Sequence, residues 1–143
     1  MTATISRAAL GLPDFHLEAP ELMAATCFTQ PQKLDLCAYR GDSGRFRVTL
    51  TEANGTTPID ISTATWDADI RLNVDDTVVA GTLLVQPVPG MTNAVDVILT
   101  AVVSASLAAA VYVWDLEMTL GAEVTTLLAG SLIVTKDVSR AAS

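Results

Sequence analysis

Histidine and cysteine are nearly missing from this chain: His16 is the sole example of the first, and Cys27 and Cys37 are the only two of the second, in 143 residues. That scarcity excludes a zinc site built from a Cys/His cluster and leaves no Cys/His pair to act as a catalytic dyad. Two cysteines in a chain of this size make no disulfide framework, so both are expected as buried free thiols. His16 sits in a proline-flanked stretch and is expected as an ordinary loop residue. Basic residues are scarce too: Lys and Arg total 8 against 16 Asp and Glu, for a formal net charge of -8. A binder of duplex or single-stranded nucleic acid needs a basic stripe to displace phosphate counterions, and that class is therefore set aside. The acidic groups are scattered, which reads as a solvated surface able to keep identical copies apart until the right contact forms. Charged residues make up only 17% of the chain and aromatics 5%. Either much of the surface is uncharged, or partners cover it.

Signatures of targeting and of catalysis are absent as well. Met1 to Phe15 lacks a charged start, an apolar core and a small-residue cleavage site, so no secretory signal is expected. The uncharged run from Val97 to Trp114 has about the length that crosses a bilayer, near ~20 residues. It is interrupted by Thr100, Ser104 and Ser106 and bordered by Asp96 and Asp115, with no Lys/Arg cluster beside it, so no membrane span is expected. No Ser-His-Asp set, nucleophile elbow, phosphate loop or nucleotide fingerprint occurs. The expectation is a chain with no catalytic residues, no cofactor and no metal.

What the sequence does hold is apolar residues, half of the total, in a chain long enough to bury one domain's core. Residues 1–32 form a distinct N-terminal arm, divided by Pro13, Pro20 and Pro31, with a short helix expected over Glu21 to Cys27 after Pro20. Leu10, Leu12, Phe15, Leu17, Leu22, Met23 and Phe28 make this arm too apolar to be content in water. They are the candidate partner-contact residues, docking the arm on its own domain or on a neighbour. From Lys33 the pattern turns to period two, the mark of half-buried strands. Leu34, Leu36 and Ala38 alternate with Asp35 and Cys37; after the turn Arg40-Gly41-Asp42-Ser43-Gly44, Phe46, Val48 and Leu50 alternate with Arg45, Arg47 and Thr49. These two runs are expected as adjacent antiparallel strands. Asn54-Gly55 makes the next turn, and a short strand is expected near Ile59 and Ile61. Trp66, Ala68, Ile70 and Leu72 then oppose Asp67, Asp69 and Arg71. Asp75-Asp76 turns the chain into a strand over Gly81 to Val85, which Pro87, Pro89 and Gly90 end. Val95, Val97 and Leu99 follow. A helical turn capped by Thr100 connects the sheets. Tyr112, Trp114, Leu116, Met118 and Leu120 oppose Val113, Asp115, Glu117 and Thr119; Gly121-Ala122 leads to Val124–Leu128, and Ser131–Thr135 forms a last strand. Seven or eight short strands and one short helical crossover predict an all-β, Greek-key β-sandwich over residues 33–140, followed by a tail at 141–143. A barrel remains the other all-β solution. Parallel α/β folds need repeated helices, which are absent.

Three motifs carry a chemical reading beside a plain one. Arg40-Gly41-Asp42 is a triplet that animal cell-surface receptors recognise, but between two alternating runs it is also what a tight strand connection requires. Asp67 with Asp69, and Asp115 with Glu117, place paired carboxylates on strand faces, for acid/base chemistry or calcium; period-two alternation alone produces such pairs, so a solvated or partner-facing surface is expected. Trp66 and Trp114 lie on inward faces and are expected to meet in the core.

Tyr39-Arg40-Gly41-Asp42-Ser43-Gly44, Phe46-Arg47-Val48-Thr49, Ile59-Asp60-Ile61-Ser62-Thr63-Ala64-Thr65-Trp66, Val113-Trp114-Asp115-Leu116-Glu117-Met118 and Thr125-Thr126-Leu127-Leu128-Ala129-Gly130, ending in Asp137-Val138-Ser139-Arg140, resemble in order the small immunoglobulin-like domains of minor tail and baseplate proteins of tailed bacteriophages. The resemblance covers about Leu34 to Arg140. It implies an immunoglobulin-like sandwich in a non-enzymatic virion protein, assembled in the host cytoplasm and packed in several copies against itself and other virion proteins. It supplies no catalytic set, and the arm from Met1 to Gln32 lies outside it. A capsid-decorating or head-tail connector protein is the alternative of the same kind. A carbohydrate-binding host-attachment module is the alternative of another class, with few aromatics free for stacking.

Overall fold

The structure, a computed structural model, describes residues 2–6 and 31–138. The expected arm contacts at Leu10, Leu12, Phe15, Leu17, Leu22, Met23 and Phe28, the helix over Glu21 to Cys27, and His16 lie outside the described residues.

Alternating apolar residues produce two sheets that bury a shared core. The first sheet runs, in spatial order, β1 (Thr2–Ser6), β4 (Gly44–Thr51), β9 (Ala94–Leu99) and β8 (Leu84–Pro87). The second has β2 (Gln32–Lys33) and β3 (Leu36–Tyr39) on one flank of β11 (Glu123–Thr135), and β10 (Ala110–Leu120) on the other; β5 (Thr65–Asp67) and β6 (Asp69–Arg71) pair with β10, and β7 (Gly81–Thr82) pairs with β6. Phe46, Val48, Leu50 and Val97 of the first sheet meet Ile70, Trp114, Leu116 and Leu132 of the second in one buried cluster, so the expected all-β sandwich is what forms.

β10 shows most plainly why these residues make strands. Tyr112, Trp114, Leu116 and Met118 are buried in strict alternation, while Asp115 between them is exposed. Gly121, at φ +63°, closes the hairpin to β11. The register slips once, between Leu116 and Glu117, leaving Leu127 without a partner. That bulge reverses the inward parity, which is why the consecutive residues Leu127 and Leu128 are both fully buried. Thr100 caps the single described helix, α1 (Ala101–Ser106), its Oγ1 accepting from the Val103 amide at 3.2 Å. α1 carries the chain from the first sheet to the second, as expected. The uncharged run over 97–114 is thus divided between β9, α1 and β10, and no helix among the described residues is long and apolar enough to cross a membrane.

Five local expectations are corrected. β3 and β4 are not hairpin partners: β3 pairs parallel with β11 and β4 antiparallel with β9, so the turn between them steps across the sandwich. The strand expected over Gly81–Val85 belongs to both sheets, since β7 pairs with β6 and β8 with β9, and buried Leu83 marks the crossing. No strand forms at Ile59–Ile61. Pro58 makes an isolated bridge to Thr51, and the Asp60 carboxylate accepts from the Ser62 amide and hydroxyl at 2.9 and 2.7 Å, a local turn that competes with pairing. The two strands expected at Val124–Leu128 and Ser131–Thr135 are one, β11, which runs on through Ala129 and Gly130. Finally, Cys37 is exposed, because it alternates with the inward Leu36 and Ala38.

The two indoles do not meet either. Trp114 packs edge-on against Phe46, centroids 5.9 Å apart, and its Nε1 donates to the Leu34 carbonyl at 3.0 Å. Trp66 faces Met118, two inward positions further along β10, and is only partly buried.

Candidate functional site

The outer face of the second sheet gathers the carboxylates singled out in the sequence. β5 and β6 carry Asp67 and Asp69 outward beside β10, Asp67 registers with Glu117, and Arg71 registers with Val113. A shallow basin of about 480 Å³ opens among Asp69, Arg71, Val74, Val113, Asp115 and Gly130. Arg71 is held in place: its Nη1 donates to the Asp76 carbonyl at 2.6 Å and its Nη2 to Asp69 Oδ2 at 3.3 Å. The Asp115 carboxyl is pushed above the ordinary carboxylate range, first by loss of solvent in the basin and then by the negative charge of Asp69; Arg71 pulls the other way. The side chain still counts as exposed at its surface, so this is a group that trades protons with bulk water rather than one sealed in a site. Among the described residues no three His, Cys, Asp or Glu side chains are placed to hold a metal ion. What the arrangement offers is a negative, partly exposed patch with one pinned guanidinium.

Beside the acidic patch the same face turns apolar. Ile133 on β11 registers with Val111 on β10 and with Cys37 on β3, so three strands contribute one lateral row. Ile133 is 43% exposed and Val111 59%, and Tyr39, two residues beyond Cys37, is 55% exposed. Sequence reasoning did not find this row. Its signal was available in β10, where Val111 and Val113 are apolar on the face opposite Tyr112 and Trp114, so that the strand begins with both faces greasy.

The Arg40-Gly41-Asp42 triplet is a turn tied to the helix. Gly41 has φ +94°, and the Asp42 amide donates to the Tyr39 carbonyl at 3.0 Å. Fully buried Ser104 accepts from the Gly41 amide at 2.9 Å and donates to the Tyr39 carbonyl at 3.2 Å, while Arg40 Nε donates to the Ala105 carbonyl at 3.1 Å. With its guanidinium so engaged, the triplet works as a strand connection. On the outer face of the first sheet, Arg47 and Asp96 are register partners joined at 2.9 Å, a pair that the alternation placed outward but did not match across strands.

No protein-family model matches the chain, and no curated protein matches it in sequence. Among solved structures, a chain described as the N-terminal domain of phage TP901-1 ORF48 is similar in outline. It is 10% identical, with a TM-score of 0.42, over 94% of this chain and 97% of that one.

Proposed function

We propose that this chain is a non-catalytic structural module of a tailed-phage virion, working by packing in several copies against other particle proteins. One observation carries the reading: the row of Cys37, Ile133 and Val111, with Tyr39 at its end, lies uncovered on a sheet whose other face already closes the core. Exposed apolar area of this kind, bordered by charge, marks a protein contact more often than a solvent face. The ordered residue resemblance to phage tail and baseplate domains supplies the setting, and a tail-tip or baseplate position is the placement that it fits. The acidic patch beside the row supports protein neighbours over nucleic acid, because carboxylates repel phosphates.

Quantitative mass spectrometry of purified particles tests the reading. A fixed number of copies per particle is expected. Absence of the chain from purified particles would remove it.

A further inference from the structure

The exposed loop after β4 holds the one asparagine of this chain that precedes a glycine. Asn73 and Asn93 are followed by Val74 and Ala94, whose side chains crowd the next amide. Gly55 crowds nothing, and a Cβ built there meets no atom within 4 Å. An exposed Asn-Gly pair of this kind is chemically labile. The Gly55 amide nitrogen gives its proton to solvent base and bonds to Asn54 Cγ; the Cγ–Nδ2 bond breaks and Nδ2 leaves as ammonia. Water then opens the succinimide ring. Attack at Cγ restores the ordinary main chain with aspartate at position 54, while attack at the Asn54 main-chain carbonyl leaves the chain running through Cγ as isoaspartate.

The folded loop withholds both reacting groups. The Gly55 amide, which must lose its proton, donates to the Glu52 carbonyl at 2.8 Å. Asn54 Oδ1 accepts from the Thr56 and Thr57 amides, each at 2.9 Å, and Asn54 Nδ2 donates to Thr57 Oγ1 at 2.7 Å. Attack makes the planar carboxamide carbon tetrahedral and expels Nδ2, so it breaks bonds that the closed loop makes. The loop is also closed across its base: the Glu52 amide donates to the Thr57 carbonyl at 2.7 Å, and Pro58 bridges Thr51. Thr57 therefore holds Asn54 through main chain and side chain alike.

We infer that Asn54-Gly55 is a latent modification site, protected while this loop is closed and converted, with water as the only co-reactant, when it opens. Opening of an exposed loop with few buried contacts lies at the low-energy end of native motion. The conversion is one-way. Aspartate adds a negative charge, and isoaspartate lengthens the main chain by a methylene inside a loop whose base the Glu52–Thr57 bond closes. A loop that has opened and reacted no longer recloses in the same form, so the site keeps a record of opening. The inference stands apart from the packing role proposed above.

Peptide mapping by mass spectrometry of the full chain, incubated in mildly alkaline buffer, follows the conversion of Asn54. Folded protein is expected to convert about tenfold or more slowly than the same chain unfolded in guanidinium chloride, because reaction is confined to the opened fraction. Thr57→Val, which removes the Oγ1 acceptor and keeps the amide, is expected to speed conversion of the folded chain about fivefold, the factor that one net hydrogen bond supports. Thr57→Ser keeps the hydroxyl, and Thr56→Val leaves the bonds to Asn54 and Gly55 in place, so both are expected to convert at the wild-type rate. Unchanged melting temperatures verify that the variants fold. Equal rates in the folded and unfolded chain would overturn the inference. So would a Thr57→Val variant that converts no faster than wild type, or one that Thr57→Ser matches in acceleration.

Discussion

Asp115 and Trp114 are neighbours on β10 that point to opposite faces, and each leads to a separate test. Desolvation and the nearby Asp69 raise the Asp115 pKa in the folded state. A raised folded-state pKa means that folding favours the protonated form, so the contribution is most favourable below the unfolded value and is lost as pH rises through the folded one. Asp115→Asn is therefore expected to raise the melting temperature at neutral pH, with the gain shrinking as pH falls through the raised folded-state pKa toward the ordinary carboxylate value. Melting curves at several pH values check this; an unchanged difference across the range would show that Asp115 is not strained. Trp114 is 3% exposed, with both its ring edge and its N–H satisfied. Trp114→Ala is expected to cost about 3–5 kcal/mol in chemical denaturation. Trp66→Ala, at a residue only partly buried and without a ring partner among the described residues, is expected to cost clearly less, and the reverse order would contradict this burial.

Among the elements, β11 depends on a residue without a side chain. Gly130 faces Trp114 in the hairpin register, and a Cβ there would run into the Leu34 carbonyl, the same oxygen that accepts from the indole. Gly130→Ala is expected to destabilise by about 1–3 kcal/mol or more, because backbone rather than a flexible side chain must move. A silent Gly130→Ala would mean that β2 and β3 do not lie where they are described. Ion pairing ties elements together as well. The Asp96 carboxyl is held below the ordinary range chiefly by its hydrogen bond from Arg47, and Asp35 by its bonds from the Ser131 amide and hydroxyl. Depressed carboxylates stabilise above their unfolded pKa, and that stability is lost as pH falls through the folded value. Asp96→Asn is thus expected to lower stability at neutral pH and to flatten its decline in acid.

These elements also show what the sequence could and could not reveal. β10 was legible from Tyr112 to Leu120 because its alternation never breaks, and α1 because Thr100 caps a shift of period. Partner choice was not legible. A glycine turn such as Arg40–Gly44 reads the same whether it closes a hairpin or crosses between sheets, and the Gly81–Val85 run gives no sign of changing sheets at Leu83. The carboxylate patch was visible from period two alone. The apolar row beside it requires knowing that β11 and β3 lie next to β10, which only long-range pairing decides.

For the whole molecule, the face of the second sheet that looks away from the core carries acid at one end and apolar residues at the other. The proposed packing role requires that this surface be covered by a neighbour. The measurement that tests this most directly is a cryo-electron microscopy reconstruction of the intact particle with this chain located in it. The account predicts protein density packed over Val111, Ile133 and Tyr39. A reconstruction in which that row faces bare solvent in every copy would contradict it.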